Sequence, residues 1–390
     1  MRMEDPTVDR PMAASMFLAI IGLVLGSPFS GTAQEAGAVF VMTNDAVANE
    51  IVVFDRGEDG RLTQGSAVAT GGRGTGGEID PLQSQGSLIL SEDGAWLFAV
   101  NAGSREISQF AVDGTEIELV ARVASRGSTP ISLTVFDDLL YVLNAGGRPS
   151  IQGFRVDDEG TLRRINASKR FLLSDVSSRG RAEGPAQVGF TTEGSELVVT
   201  DRITDEIHLF AVDADGRPAE DSVRWPSFGE GPFGFDFDRR GFLLVSEVWG
   251  RNPAGSVLEG AVSSYAILNG GSLETVDGSV ENFEAATCWL VSDGRKSAFV
   301  TNTTSGSVSR YRVRPNGRLK LRGGGHRFGG SPDAFPTDMA ITLDGEFLYT
   351  LNAGRGTIGM FRVRSSGKLV FLGEGGSLPA LAGLQGIAAH

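Results

Sequence analysis

Seven times the chain writes a short β-rich run that ends on a polar side chain, and this recurrence restricts the fold more than any other feature. The runs are VFVMTN (39–44), WLFAVN (96–101), LLYVLN (139–144), ELVVTD (196–201), FLLVSE (242–247), SAFVTN (297–302) and FLYTLN (347–352). They recur 43 to 57 residues apart, within reach of the periods that mark propeller blades.

Each run sits in a longer repeated sentence. A tight turn precedes it, as in SEDG (91–94), TTEG (191–194) and LDG (343–345). An alternating segment follows, such as EISQFAV (106–112), EIHLFAV (206–212) or TIGMFRV (357–363), then a Gly-containing turn and a further strand such as RLKLR (318–322). Period-two alternation bounded by Gly, Asn and Asp is the hairpin signature. Before the turn stands one more strand, which opens on proline in PISLTV (130–135), PAQVGF (185–190), PFGFDF (232–237) and PTDMAI (336–341). Four antiparallel strands in each of seven units predict an all-β, seven-bladed β-propeller. The first unit opens at AVFVMTN without an inner strand, and the chain ends in a strand-like LQGIAAH (384–390). Pairing that tail with the first blade would close the ring and cover two sheet edges.

The first 33 residues read differently. MFLAIIGLVLG (16–26) has the length of a signal-peptide core, and Gly31 and Ala33 are small residues suited to cleavage before Gln34. The preceding region is atypical, with Arg2 and Arg10 outweighed by Glu4, Asp5 and Asp9. The expectation is a signal peptide at 1–33, a propeller domain at 34–390, a periplasmic or secreted location and no membrane span after processing. A retained N-terminal anchor is the alternative. A formal charge of −13 argues against nucleic acid, whose phosphates need a basic footprint. A monomer is expected.

The site candidates come from departures within the repeat. Asp201 and Glu247 replace Asn at the end of the fourth and fifth runs, with Arg202 and Arg251 close by. Glu247 also opens a long segment, EVWGRNPAGSVLEGAVS (247–263), of the kind that supplies binding loops. Acid and guanidinium side by side can position a carboxylate or polarise a carbonyl, with the carboxylate as general base. The plain alternative is a surface ion pair. Two residues after each opening proline come Ser132, Gln187, Gly234 and Asp338, a polar set expected to face the channel either as a binding ring or as its hydrated lining; alignment by the turn adds Ser87, and the closing strand adds Gln385 or Gly386. Gln85 joins the candidates from the Gly-rich segment TGGRGTGGEIDPLQSQG (70–86), which, like GGGHRFGGSPDAFP (323–336), reads as a flexible rim loop. GRGTGG lacks the strand–helix setting and the lysine of a phosphate-cradling loop.

Three histidines, His208, His326 and His390, form no ligand-spaced cluster, and the single cysteine, Cys288, excludes an internal disulfide and reads as a buried small hydrophobe. No cofactor is expected; calcium bound by rim carboxylates and carbonyls stays open.

The phrases LYVLNAGG (140–147), GPAQVGFTTEGSELVVTD (184–201), PFGFDFDRRGFLLVSE (232–247) and AATCWLVSDG (285–294) resemble the seven-bladed propellers of the lactonase family, which includes 6-phosphogluconolactonase and the carboxymuconate lactonising enzyme. The resemblance runs over roughly residues 38–390 and implies a small-molecule lactone or sugar acid as partner. Family enzymes carry a Pro-His pair on an inner strand, whereas the matching stretch here is Pro185-Ala186-Gln187 and no Pro-His occurs elsewhere. Two functions therefore stand side by side. One is an exported lactone hydrolase or lactonising cyclase using Glu247, Asp201 or Asp338 as acid–base and Arg202 or Arg251 on the carbonyl, with Gln187, Gln85 and Ser132 binding substrate. The other is a non-catalytic propeller that holds a carbohydrate, peptide or protein at its rim.

Overall fold

The computed structural model describes residues 37–157, 160–172, 184–251, 255, 259–323, 326–327 and 332–390. The expected leader at 1–33 and parts of the loops entering blades 4 and 7 and leaving the second strand of blade 5 lie outside them. Within the described residues the chain forms seven antiparallel sheets of four or five strands, and the only helical turn is a 3-10 turn at Pro332–Ala334.

Counting from the innermost strand outward, blade 1 is built from Ile387–Ala389, Gly37–Met42, Glu50–Arg56 and Leu62–Ala69, and blade 2 from Leu88–Leu90, Trp96–Asn101, Glu106–Asp113 and Glu116–Ala124. Blade 3 runs Ser128–Phe136, Leu139–Gly146, Ser150–Val156 and Leu162–Arg164, with Arg170–Phe171 added at its rim; blade 4 runs Pro185–Phe190, Glu196–Asp201, Glu206–Ala211 and Val223–Pro226. Blade 5 comprises Glu230–Phe237, Leu243–Trp249, Ala261–Ile267 and Leu273–Glu281. Blade 6 comprises Thr287–Ser292, Ser297–Asn302, Ser307–Val313 and Leu319–Leu321, with His326–Arg327 added, and blade 7 Pro336–Ile341, Phe347–Asn352, Thr357–Val363 and Leu369–Gly375.

The seven recurring runs are the second strands, and their composition follows from their place. A second strand is covered on both faces by the neighbouring blades, so it buries consecutive side chains instead of alternating them: Leu97, Phe98, Ala99 and Val100 are all buried, as are Leu140, Tyr141, Val142 and Leu143. The outermost strands have only one neighbour and little cover, and Leu62–Ala69 is largely exposed. In blades 2, 4, 5, 6 and 7 the turn between first and second strands reverses the chain through a left-handed glycine, and in blade 3 through Asp137 at φ +49°. Gly194, for example, lies at φ +67° and donates its N–H to the Thr191 carbonyl at 2.9 Å.

The ring closes as expected. Val39, Phe40 and Val41 pair with Ala389, Ala388 and Ile387, and Arg56 Nε donates to the His390 carbonyl at 3.1 Å. The first sheet is thus completed by the last residues of the chain, and both edges that would otherwise be bare are paired.

Candidate functional site at the channel mouth

Inner strands begin on one face of the ring, where loops enter them and second strands end, and finish on the other, where the tight turns lie. The segment 80–86 enters the inner strand of blade 2 from the first face. It was expected to be a flexible rim loop, and the structure corrects this. Trp289 Nε1 donates to the Ser84 carbonyl at 2.9 Å, Ser84 Oγ donates to the Ile131 carbonyl at 2.8 Å, and the Gln85 N–H reaches the Ala186 carbonyl at 3.2 Å. The Gln85 amide then spans to blade 6, donating through Nε2 to the Leu290 carbonyl at 2.7 Å and accepting the Leu290 N–H at 2.9 Å. Residues 84 and 85 therefore tie blades 3, 4 and 6 together and lie across the channel as a crossbar. Gly234 makes room for it, because a Cβ there would stand 2.2 Å from Gln85 Oε1.

The polar set after the prolines turns out to join neighbouring blades. Ser132 Oγ accepts the Val188 N–H at 3.1 Å, linking blade 3 to blade 4. Gln187 clasps Phe235 in blade 5, donating to its carbonyl at 3.0 Å and accepting its N–H at 2.7 Å. Asp236 Oδ2 accepts the Ser292 N–H of blade 6 at 2.7 Å. Asp338 accepts its neighbour Met339's N–H at 2.8 Å and the backbone of Gly386 and Ile387 at the closing strand. Inner strands of adjacent blades diverge too far for a backbone ladder, and these side chains complete their hydrogen bonding instead.

The acids read as candidates after the second strands sit deeper than a rim position. Glu247 is fully buried between strands of its own blade and accepts the Gly229 N–H at 2.8 Å and the hydroxyls of Ser263 and Ser279 at 2.5 Å each. Burial pushes its carboxyl up, against the pull of those three donors. Asp201 is likewise fully buried; one oxygen accepts the Ile203 N–H at 3.0 Å and the other lies 3.9 Å from His208 Nε2. Burial lowers the His208 pKa, with Asp201 and Glu206 opposing. Arg251 pairs with the partly exposed Glu230. The structure thus holds Glu247 and Asp201 inside their own blades and gives Arg251 a carboxylate of its own. Asp338 is also buried, with its pKa raised well above the usual range by burial.

What does converge at the mouth is Arg202 with a residue the sequence reading passed over, Asp80. Arg202 follows the second strand of blade 4; its Nη1 donates to Gln83 Oε1 at 3.0 Å, its Nε to the Gly184 carbonyl at 3.1 Å, and its guanidinium lies 5.1 Å from the Phe233 ring centroid. Asp80 lies on the same entering segment as Gln83, at φ +46°. Gln385, fully buried just before the closing strand, donates through Nε2 to Asp80 Oδ1 and to the Ser84 carbonyl, both at 2.9 Å, and accepts the Leu82 N–H at 3.0 Å. Burial pushes the Asp80 carboxyl up to about 7, although Arg202, Gln385 and the Gln83 N–H all favour its ionised form. Asp80, Gln83 and Arg202 each retain some exposure. A carboxyl near neutrality on a half-buried residue, beside a guanidinium and held by a buried amide, has the properties of an acid–base group. Its sequence signal was slight: an acid before proline in a segment otherwise read for its glycines. Among the described residues no His, Cys, Asp and Glu grouping suits a metal ion.

Residues 39–171, about a third of the chain, match the model of the lactonase family, described as a 7-bladed beta-propeller. Solved structures extend the likeness of fold around the ring. A candidate 6-phosphogluconolactonase from Bacteroides fragilis is 20% identical with a TM-score of 0.70, covering 92% of this chain and 99% of that one. A second candidate, from Bacteroides uniformis, is 17% identical with a TM-score of 0.71, over 92% and 100%. The periplasmic gluconolactonase of Pseudomonas aeruginosa is 17% identical with a TM-score of 0.67, over 90% and 98%. No curated protein matches the sequence at a significant level.

Proposed function

We propose that this propeller is a lactonase-type hydrolase of small ring esters whose acid–base group is Asp80 and whose carbonyl-polarising group is Arg202. The observation that carries the reading is their convergence at one mouth of the channel, with Gln385 holding Asp80 from the closing strand. Ionised Asp80 takes a proton from water as the water oxygen adds to the lactone carbonyl. The charge that gathers on the carbonyl oxygen faces the Arg202 guanidinium. Collapse breaks the bond to the ring oxygen, which leaves with the proton held by Asp80, giving the open hydroxy acid. The match to the lactonase model over 39–171 supports the reaction class. The buried acids Glu247, Asp201 and Asp338 are assigned to the scaffold.

The test is proton release on a panel of aldonolactones and muconolactones. Turnover that falls at least about a hundredfold in Asp80→Asn and survives in Glu247→Gln is the expected result. The opposite pattern would return the base to Glu247, and no turnover on any ring would remove the enzymatic reading. Ligand-dependent thermal stabilisation without product would instead favour the binding propeller. We further propose export, supported by the apolar run at 16–26 and by the periplasmic name of the Pseudomonas relative. N-terminal sequencing of protein recovered from the periplasm should begin at Gln34; intact protein confined to the cytosol would overturn this.

A further inference from the structure

Beneath the crossbar the channel continues as a cavity of about 400 Å³, lined by inner-strand residues of all seven blades, from Gln85 at its closed end to Leu343 in a turn of the far face. It opens on the face opposite Asp80 and Arg202, and its volume falls within the range of small-molecule sites. Most of its wall is apolar, with Phe190, Phe235, Val291 and Ile387 contributing from different blades. Two acids interrupt that wall, Asp236 and Asp338.

Neither acid has a cationic partner among the described residues. Both oxygens of Asp236 are met by backbone donors, Phe237 N–H on Oδ1 and Ser292 N–H on Oδ2, each at 2.7 Å. Asp338 is likewise held by backbone N–H groups, and the one charged group acting on it, Asp80, is also an acid. Asp338 is buried and Asp236 half-buried, and carboxyls shielded from water without a counter-charge are costly as anions, a cost that a proton or a cation relieves. Burial favours the proton on both: the pKa of Asp236 is pushed up to about 6, so that it is still largely ionised at neutral pH, and that of Asp338 is raised well above the usual range. A cation entering the cavity would meet the Asp236 charge, take the place of the proton on Asp338 and gain attraction in a poorly screened setting.

We infer that the far-face cavity is a second binding site, independent of the lactonase reading, and that it takes a small organic ammonium with an apolar tail. The ammonium sits against Asp236 and Asp338, and the tail lies along the aliphatic and aromatic wall toward Leu343. A hydrated anion is excluded by the two acids. A neutral apolar molecule would fill the wall and leave the acids unmet.

Calorimetric titration of the full-length protein with hexylamine, hexanol and hexanoate tests this directly. Hexylamine should bind at least about tenfold more tightly than hexanol, with no measurable binding of hexanoate. Asp236→Asn should lose that preference for the amine, and Ala340→Phe, which narrows the wall while sparing both acids, should weaken amine and alcohol alike. Circular dichroism verifies that each variant is folded. Equal affinity for amine and alcohol in the unaltered protein would overturn the assignment of the acids, and absence of binding by all three would reduce the cavity to a hydrated channel.

Discussion

Gln85→Ala removes both hydrogen bonds that tie the crossbar to blade 6. Leu290 faces Val300 in its own sheet, but its N–H and carbonyl point to Gln85, at 2.9 and 2.7 Å. Each orphaned buried group costs about 1–3 kcal/mol, so the pair sets an expectation of about 2–6 kcal/mol. Water rising from the cavity below can satisfy part of this and brings the expected loss to about 3 kcal/mol. Gln85→Glu is the sharper variant, because it keeps the shape and changes one donor into an acceptor. Ionised, it sets an oxygen against the Leu290 carbonyl; protonated, it restores the original pattern of one acceptor and one donor. Its native pKa should therefore lie above the ordinary glutamate value of about 4.3. The sign follows: the variant is close to the unaltered protein below the unfolded pKa and loses stability as pH rises through the native one. Urea unfolding at about pH 4 and about pH 8, with unchanged slope, measures both effects. Gly234→Ala supplies the coupling, since its Cβ would stand 2.2 Å from Gln85 Oε1 and 2.7 Å from the Cys288 carbonyl. It should destabilise less in the Gln85→Ala background than alone. A Gln85→Ala loss under about 0.5 kcal/mol, or a Gln85→Glu variant with no added pH dependence, would refute the crossbar as a structural tie.

Glu247 offers a second check, because Glu247→Gln can keep two acceptor contacts and turn Ser279 to accept from its amide, whereas Glu247→Leu orphans the Gly229, Ser263 and Ser279 donors. The leucine variant should lose about 3 kcal/mol or more in urea unfolding, and the glutamine variant less than about 1 kcal/mol. At Asp236 the native pKa of about 6 exceeds the ordinary 3.8, so its contribution to stability is complete below about pH 4 and is lost as pH rises through about 6. The two-unit rise corresponds to about 3 kcal/mol, and Asp236→Asn should gain roughly that much relative to the unaltered protein between about pH 4 and about pH 8; parallel stability curves would count against the buried acid.

The propeller was legible because its determinants are local. Strand alternation and left-handed turn glycines such as Gly194 operate within one blade, and the continuous apolar runs of the second strands restate the unit seven times. Even ring closure could be inferred, since a blade lacking an inner strand and a tail carrying one have a single obvious partnership. The candidate site was much less legible. Arg202 was readable as a charged departure from the repeat, but Asp80 looked like an ordinary loop acid. Glu247 and Asp201 also looked like departures, yet their hydrogen bonds run inward to Ser263, Ser279 and Ile203, so a break in the repeat marked a buried polar network there.

By itself the sequence determined how many sheets form, where each strand turns and which end seals the ring, because hydrophobic period and turn chemistry act over a few neighbouring residues. Only the tertiary structure decided what occupies the axis. Gln85 meets Leu290 across 205 positions and Gln385 meets Asp80 across 305, and no local rule links residues so far apart. Their partnership arises from closing the ring, which brings the inner strands of distant blades within the reach of one side chain and removes enough water for a carboxyl's pKa to move.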